Sequence, residues 1–128
     1  MEPTSPRESG LSSQGVTESG SFASTLLRAV VFLRKLDSDM EAQCLHVLLI
    51  LATRTRPILM QELGYLTELS QSSVSRNVQK LGDMDHRGRP GYGFVEVSED
   101  PYDHRNRLVV LNRKGRAWIA RLEDACRQ

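Results

Sequence analysis

Two short apolar runs, Phe94-Val95-Glu96-Val97 and Leu108-Val109-Val110-Leu111, enclose a polar stretch that contains Pro101, Tyr102, Asp103 and two arginines. β-branched and aromatic residues favour extended backbone, and a turn-rich polar stretch between two such runs predicts a hairpin. Asn112 follows at once and can cap a helix. Gly115, in the first turn of that helix, costs helix propensity, and a close backbone contact there would account for it. Just upstream, Ser70-Gln71-Ser72-Ser73-Val74-Ser75-Arg76-Asn77-Val78-Gln79-Lys80-Leu81 has the spacing of a polar helix. A hairpin pressed between two helices restricts the chain to an α+β fold. The class expected is mostly helical, with a two- to three-stranded β wing.

The 128 residues leave room for one domain of ordinary size. Hydrophobic residues make up 39% and charged residues 26%, which is globular composition, but aromatics are only 5%, so the core must be mainly aliphatic. The formal net charge of +1 makes no case for a polyanionic partner. The distribution does better: from Ser70 to Arg116 there are nine basic residues against six acidic ones. Cys44 and Cys126 are far apart and form no CxxC pair, which argues against a disulfide scaffold or a zinc site. No apolar run is long enough to span a bilayer, and no secretion signal is visible, so a cytoplasmic protein is expected.

Residues 1–19 are rich in Ser, Pro, Gly, Thr and Glu and are expected to form a disordered arm. Residues 20–128 are expected to form the single folded domain. In its first helix, Phe22, Leu26, Ala29, Val30, Leu33 and Leu36 share one face, while Leu27 and Val31 make a second apolar stripe. Such a helix is either buried deeply or packed on both its own domain and a second subunit. Asp37 or Ser38 can cap a second helix at about Asp39 to Thr53, which Pro57 keeps from continuing. A short helix at about Met60 to Leu66 and the turn Thr67-Glu68-Leu69 precede Ser70, a good N-cap for a helix running to about Met84. The stretch from Asp85 to Tyr92 is a loop, and its Arg87 and Arg89 read either as an added DNA-backbone contact or, by preference, as solvated. The last helix, at about Arg113 to Arg127, is expected to bury Trp118, Ile119 and Leu122.

Two helices joined by a tight turn make a helix-turn-helix, whose second helix can enter the major groove of DNA. Outside the Val74, Val78 and Leu81 stripe, that helix carries Gln71, Ser72, Ser73, Ser75, Arg76, Asn77, Gln79 and Lys80. No carboxylate interrupts it before Asp83, and a carboxylate there would be repelled by phosphates. The Ser-rich first turn offers free N–H groups to a phosphate. The hairpin tip region carries His104, Arg105 and Arg107, and a basic hairpin can place an arginine in the narrow minor groove. Asp103 can pair with an arginine and hold the tip in shape. The candidate DNA-contacting residues are therefore Gln71, Ser72, Ser73, Ser75, Arg76, Asn77, Lys80, His104, Arg105 and Arg107.

From about Leu45 to Leu122 the chain resembles the MarR family of bacterial transcriptional regulators. The resemblance rests on Gly93, Phe94, Val95, Asp103, Arg105, Leu108, Val109, Leu111 and Gly115, which match the family's wing pattern in spacing, and on the run Ser70 to Arg76. It implies a winged helix-turn-helix, a two-fold dimer binding an inverted repeat, Arg105 in the minor groove, and Ser72, Ser75 and Arg76 in the major groove. It also implies promoter occupancy, expected here as repression, often relieved by a small phenolic effector or by thiol oxidation. The dimer would rest mainly on residues 20–36, with Phe22, Leu26, Leu27, Val30, Val31 and Leu33 as contacts, and on the helix of 113–128. Departures are Asn112 for the family's threonine, Val97 where an arginine is frequent, a longer loop at Asp85 to Tyr92, and a single short helix after the wing.

An enzyme is not expected, because His46, His86 and His104 have no nucleophile or carboxylate constellation around them. No metal and no cofactor are expected, and Cys44 lies on an apolar stripe as a small core residue. The competing reading is a winged helix used as a protein-interaction module without sequence-specific DNA binding.

Overall fold

The structure, a computed structural model, describes residues 21–127, so the expected arm at 1–19 lies outside it. The described residues form five helices and one three-stranded antiparallel sheet. In chain order they are α1 (Phe22–Leu36), α2 (Ala42–Ala52), β1 (Ile58–Leu59), α3 (Met60–Thr67), α4 (Gln71–Leu81), β2 (Val95–Asp100), β3 (Asp103–Leu111) and α5 (Arg113–Arg127). They divide into two compact units, residues 39–121 and residues 21–38 with 122–127.

In the unit of 39–121 the sheet order is β1-β3-β2, with Ile58 paired to Val109 and Val97 paired to Val109 from the other side. Strand β1 is only two residues long, and no alternation in the sequence announces it. The core joins Val47, Leu48 and Leu51 of α2, Leu63 of α3, Val74, Val78 and Leu81 of α4, and Val109 of β3. Cys44 lies in it at 3% exposure, as the apolar stripe implied. Helix α2 starts later than expected, because Glu41 and not Asp37 or Ser38 occupies its N-cap position. Helix α4 stops at Leu81 rather than near Met84, since Gly82 leaves the helical conformation.

The turn between α3 and α4 is built tightly. Glu68 takes the left-handed conformation (φ 59°) that ends α3. The Thr67 hydroxyl donates to the Leu63 carbonyl at 2.6 Å. Ser70 then caps α4, its Oγ accepting the Ser73 N–H at 3.1 Å. Such a cap contributes about 1 kcal/mol.

Phe94 joins the wing to the helices. Its ring, 1% exposed, stacks between Tyr92 and Trp118 at centroid distances of 5.8 and 5.4 Å. Its N–H donates to the Leu81 carbonyl and its carbonyl accepts the Asn112 N–H. Asn112 caps α5 through Oδ1, which accepts the Gly115 N–H at 2.8 Å, and its Nδ2 donates to the Gly93 carbonyl at 2.9 Å. A Cβ on Gly115 would run into the Phe94 carbonyl oxygen and crowd the side chains of Leu111 and Phe94. That is the close contact the helix-weakening glycine implied.

In the unit of 21–38 and 122–127, Ser21 caps α1 by accepting the Ser24 N–H at 3.0 Å. The Arg28 guanidinium donates to the Cys126 carbonyl at 3.1 Å and to Ser24 Oγ at 2.9 Å. No residue of α1 is buried.

Gly115→Ala is expected to destabilise the protein by roughly 1–3 kcal/mol, the usual cost of overpacking. Helix propensity alone would give a gain of about 1 kcal/mol. Chemical denaturation distinguishes the two signs.

Candidate nucleic-acid interface

Helix α4 turns Val74, Val78 and Leu81 inward. A 100° step per residue then sets Ser72, Arg76 and Gln79 on the opposite side, and all three are exposed. Gln71 and Ser75 flank this face on one side, Ser73 and Lys80 on the other; Gln71 is exposed and the other three are half-buried. Asn77 is the exception among the expected contacts. It is 8% exposed, and its amide donates to the Ser73 carbonyl at 2.9 Å and to Gln43 Oε1 at 3.4 Å. Its position next to Val78 rotates it into the interface with α2. Asn77 is thus a satisfied interior polar residue and not part of the outward face.

The wing departs from expectation in where its tip lies. The turn is Pro101-Tyr102, with the Tyr102 N–H donating to Asp100 Oδ1 at 2.9 Å. Arg105 and Arg107 belong to strand β3, beyond the turn. Strand alternation puts Arg107 on the same sheet face as buried Val109 and Leu111, and Arg105 lies in the stretch where the pairing with β2 becomes irregular. The core-facing side of the wing therefore continues past the core at Arg107, with Arg105 next to it in the same groove. Glu99 lies opposite Arg107 in the register, and the pairing shifts at Glu99 and Asp100.

The Asp103 carboxylate accepts three bonds from Arg105: from the backbone N–H at 3.1 Å, from Nε at 3.0 Å and from Nη2 at 2.9 Å. The guanidinium and the backbone N–H hold the Asp103 carboxyl below the usual carboxylate range, and the carboxylate in turn raises the Arg105 pKa. The Arg105 side chain is nonetheless 89% exposed. One edge of its guanidinium is fixed, and the rest faces outward. His104 Nδ1 lies 3.1 Å from Glu99 Oε1 on the exposed surface.

These two elements meet. A groove of about 250 Å³ is lined by Gln71 and Ser75 of α4 and by Arg105, Asn106 and Arg107 of β3. Sequence reasoning passed over Asn106, which lines this groove and accepts from Gln61 Nε2 at 3.3 Å, tying β3 to α3. It also passed over Asp85. That side chain is 3% exposed and accepts the N–H groups of Arg87 and Arg89 and the Arg89 guanidinium. Burial alone would raise its pKa, but the bonds from Arg89 and Arg87 outweigh that and bring it to about 2. Among the described residues no group of His, Cys, Asp and Glu is placed to hold a metal ion. No described helix is long and apolar enough to cross a membrane.

A lowered carboxylate pKa stabilises the folded form above the unfolded value and loses that contribution as pH falls through the folded one. The order of the loop at Asp85 is therefore expected to persist from neutral pH to below 3.8 and to fade toward about 2. An NMR titration of the Asp85 carboxyl carbon measures this; a midpoint at the ordinary value would show that the N–H cage is not formed in solution.

The sequence matches no family profile and no curated protein. Solved structures match it over most of its length. RV1404 from Mycobacterium tuberculosis is 20% identical with a TM-score of 0.66, over 95% of this chain and 79% of that one. The transcriptional regulator Tm0710 from Thermotoga maritima is 20% identical with a TM-score of 0.66, over 89% and 72%. The apo form of wild-type MarR from E. coli is 20% identical with a TM-score of 0.61, over 94% and 80%. With its helix-turn-helix at α3 and α4 and its β2-β3 wing, this chain has the winged-helix fold of the MarR-family transcriptional regulators.

Proposed function

We propose that this protein is a sequence-specific DNA-binding transcriptional regulator that acts as a homodimer on an inverted repeat and represses by occupying a promoter. The observation that carries the reading is the junction of two polar surfaces at one groove. The outward face of α4, without a carboxylate until Asp83, adjoins a wing whose arginine is exposed yet oriented by Asp103. Ser72, Arg76 and Gln79 are short or planar hydrogen-bonding groups suited to base edges. Arg105 suits the minor groove, where a narrow width concentrates negative potential. Gln71, Ser73, Ser75, Lys80, His104 and Arg107 flank these and suit phosphates.

Dimerisation is supported by α1. Phe22, Leu26, Leu27, Val30 and Val31 are 78%, 50%, 63%, 48% and 50% exposed, and Leu33 is half-buried beside them. Five large apolar side chains open to water on one helix favour burial against a second copy. A small-molecule effector acting on that dimer is part of the reading, as is the cell interior as its place of work.

Selection from a random duplex pool tests the function. Recovery of an inverted repeat with half-sites about one helical turn apart (roughly 34–36 Å) is expected, with Arg105→Ala losing affinity for it. Recovery of no sequence above background would point instead to a protein-interaction module. Leu27→Lys is expected to shift the sedimentation coefficient from dimer to monomer. A monomeric wild-type protein at micromolar concentration would contradict the dimer.

A further inference from the structure

The loop between α4 and β2 is a built object. Asp85 N–H donates to the Arg89 carbonyl at 2.7 Å and Gly88 N–H to the Asp85 carbonyl at 3.0 Å. Buried Asp85 gathers the N–H groups of Arg87 and Arg89 from within. Gly88 turns the apex at φ 81° with open space around it. The returning strand is bonded back onto α4 and its end: Gly91 N–H to the Asp83 carbonyl and Tyr92 N–H to the Lys80 carbonyl. A side chain at Gly91 would collide with the Gly82 carbonyl, so the return lies flush against that segment.

The cations this loop displays do not face it alone. His86, Arg87 and Arg89 line one groove of about 820 Å³ together with Arg76 and Lys80 of α4. Arg76 belongs both to this groove and to the outward face of α4. Against these stand Asp39 and Glu41 at the groove's far wall, and Asp85, whose charge is already taken up by the loop. Among the described residues no ion pair engages Arg76, Lys80 or Arg87. A loop whose backbone is tied to itself and to α4, and which carries Arg87 outside any ion pair beside the outward face, suits a rigid polyanion: a guanidinium on a fixed backbone has less freedom to lose when a phosphate docks.

We propose that the loop from Asp85 to Arg89 is a second DNA-backbone clamp. It contacts phosphates on the side of α4 opposite the wing, with Arg87 as the principal contact and Asp85 as its positioning residue. The inference rests on the DNA-binding reading. The helix would then be flanked by arginines on both sides, Arg105 and Arg107 from β3 and Arg87 and Arg89 from the loop. Because these are phosphate contacts, they add affinity without base preference.

The test measures binding of the full chain to its selected duplex over a range of salt, with Arg87→Ala, Arg87→Lys, Asp85→Ala and Arg105→Ala. Each phosphate contact contributes about 0.9 to the slope of log K against log salt. Arg87→Ala is expected to weaken binding several-fold, to reduce that slope by about 1, and to leave the preferred sequence unchanged. Arg87→Lys should restore most of the slope. Asp85→Ala should lower the slope as Arg87→Ala does, with the helical content unchanged by circular dichroism. If Arg105→Ala weakens binding but Arg87→Ala leaves affinity and slope intact, the DNA reading stands and the clamp is wrong. A change of preferred sequence in Arg87→Ala would overturn the phosphate assignment. If the wild-type protein shows no salt-dependent affinity for duplex DNA, the functional reading fails first and the clamp with it.

Discussion

The backbone of Phe94 holds the winged-helix unit of this molecule together. One residue receives the end of α4 through its N–H to Leu81 and the start of α5 through its carbonyl to Asn112. Its ring, between Tyr92 and Trp118, prevents the segment from moving without opening the core. The geometry leaves no room beside the carbonyl, which is why α5 begins with a glycine in its first turn. Everything that the proposed DNA contact uses hangs from this junction. Helix α4 ends on it, and the β2–β3 wing, whose β3 carries Arg105 and Arg107, leaves from it. Buried packing of this sort defines relative orientation more strictly than any surface contact, since interiors pack to near crystal density.

The surface ion pairs have a different role. Asp103 and Arg105 are bonded three ways yet open to water, and exposed pairs contribute little to stability. What the pair does is orient. It fixes a long side chain that would otherwise sample many rotamers, and it leaves donors of the guanidinium uncommitted. Asp85 acts from inside its loop, where a single buried carboxylate collects the backbone N–H groups of Arg87 and Arg89 and the Arg89 guanidinium. In both places an acid next to the proposed polyanion site is already neutralised by an arginine, Arg105 at the wing and Arg89 in the loop. A count of charges along the sequence, nine basic to six acidic over Ser70 to Arg116, understates the contrast for that reason.

How far the sequence disclosed this arrangement follows from the range of each interaction. Ser70, the Val74, Val78 and Leu81 spacing, and the apolar run Leu108 to Leu111 are local signals, and the elements they mark are present. Gly115 carried a legible anomaly, since a glycine in a first helical turn asks for a contact. Strand β1 was invisible, because two residues have no period and Ile58 and Leu59 pair only with distant Leu108 and Val109. The inward rotation of Asn77 depends on α2 presenting Gln43, and nothing near Asn77 announces that partner. The wing tip falls at Pro101-Tyr102 because Asp100 caps the turn, which moved the arginines from a loop into a strand. Arg87 and Arg89 read as solvated from composition. The ordered backbone beneath them comes from the burial of Asp85, which a polar loop sequence does not display.

The central claim is that the outward face of α4 and the arginine pair of β3 bind one duplex together. Backbone hydrogen exchange of the full chain, with and without its selected DNA, tests this most directly. The account predicts slowed exchange in two separate segments, around Gln71 to Arg76 and around Tyr102 to Arg107, with α1 unchanged once the free protein is already dimeric. Protection confined to α1, or an exchange pattern that DNA does not alter, would contradict it.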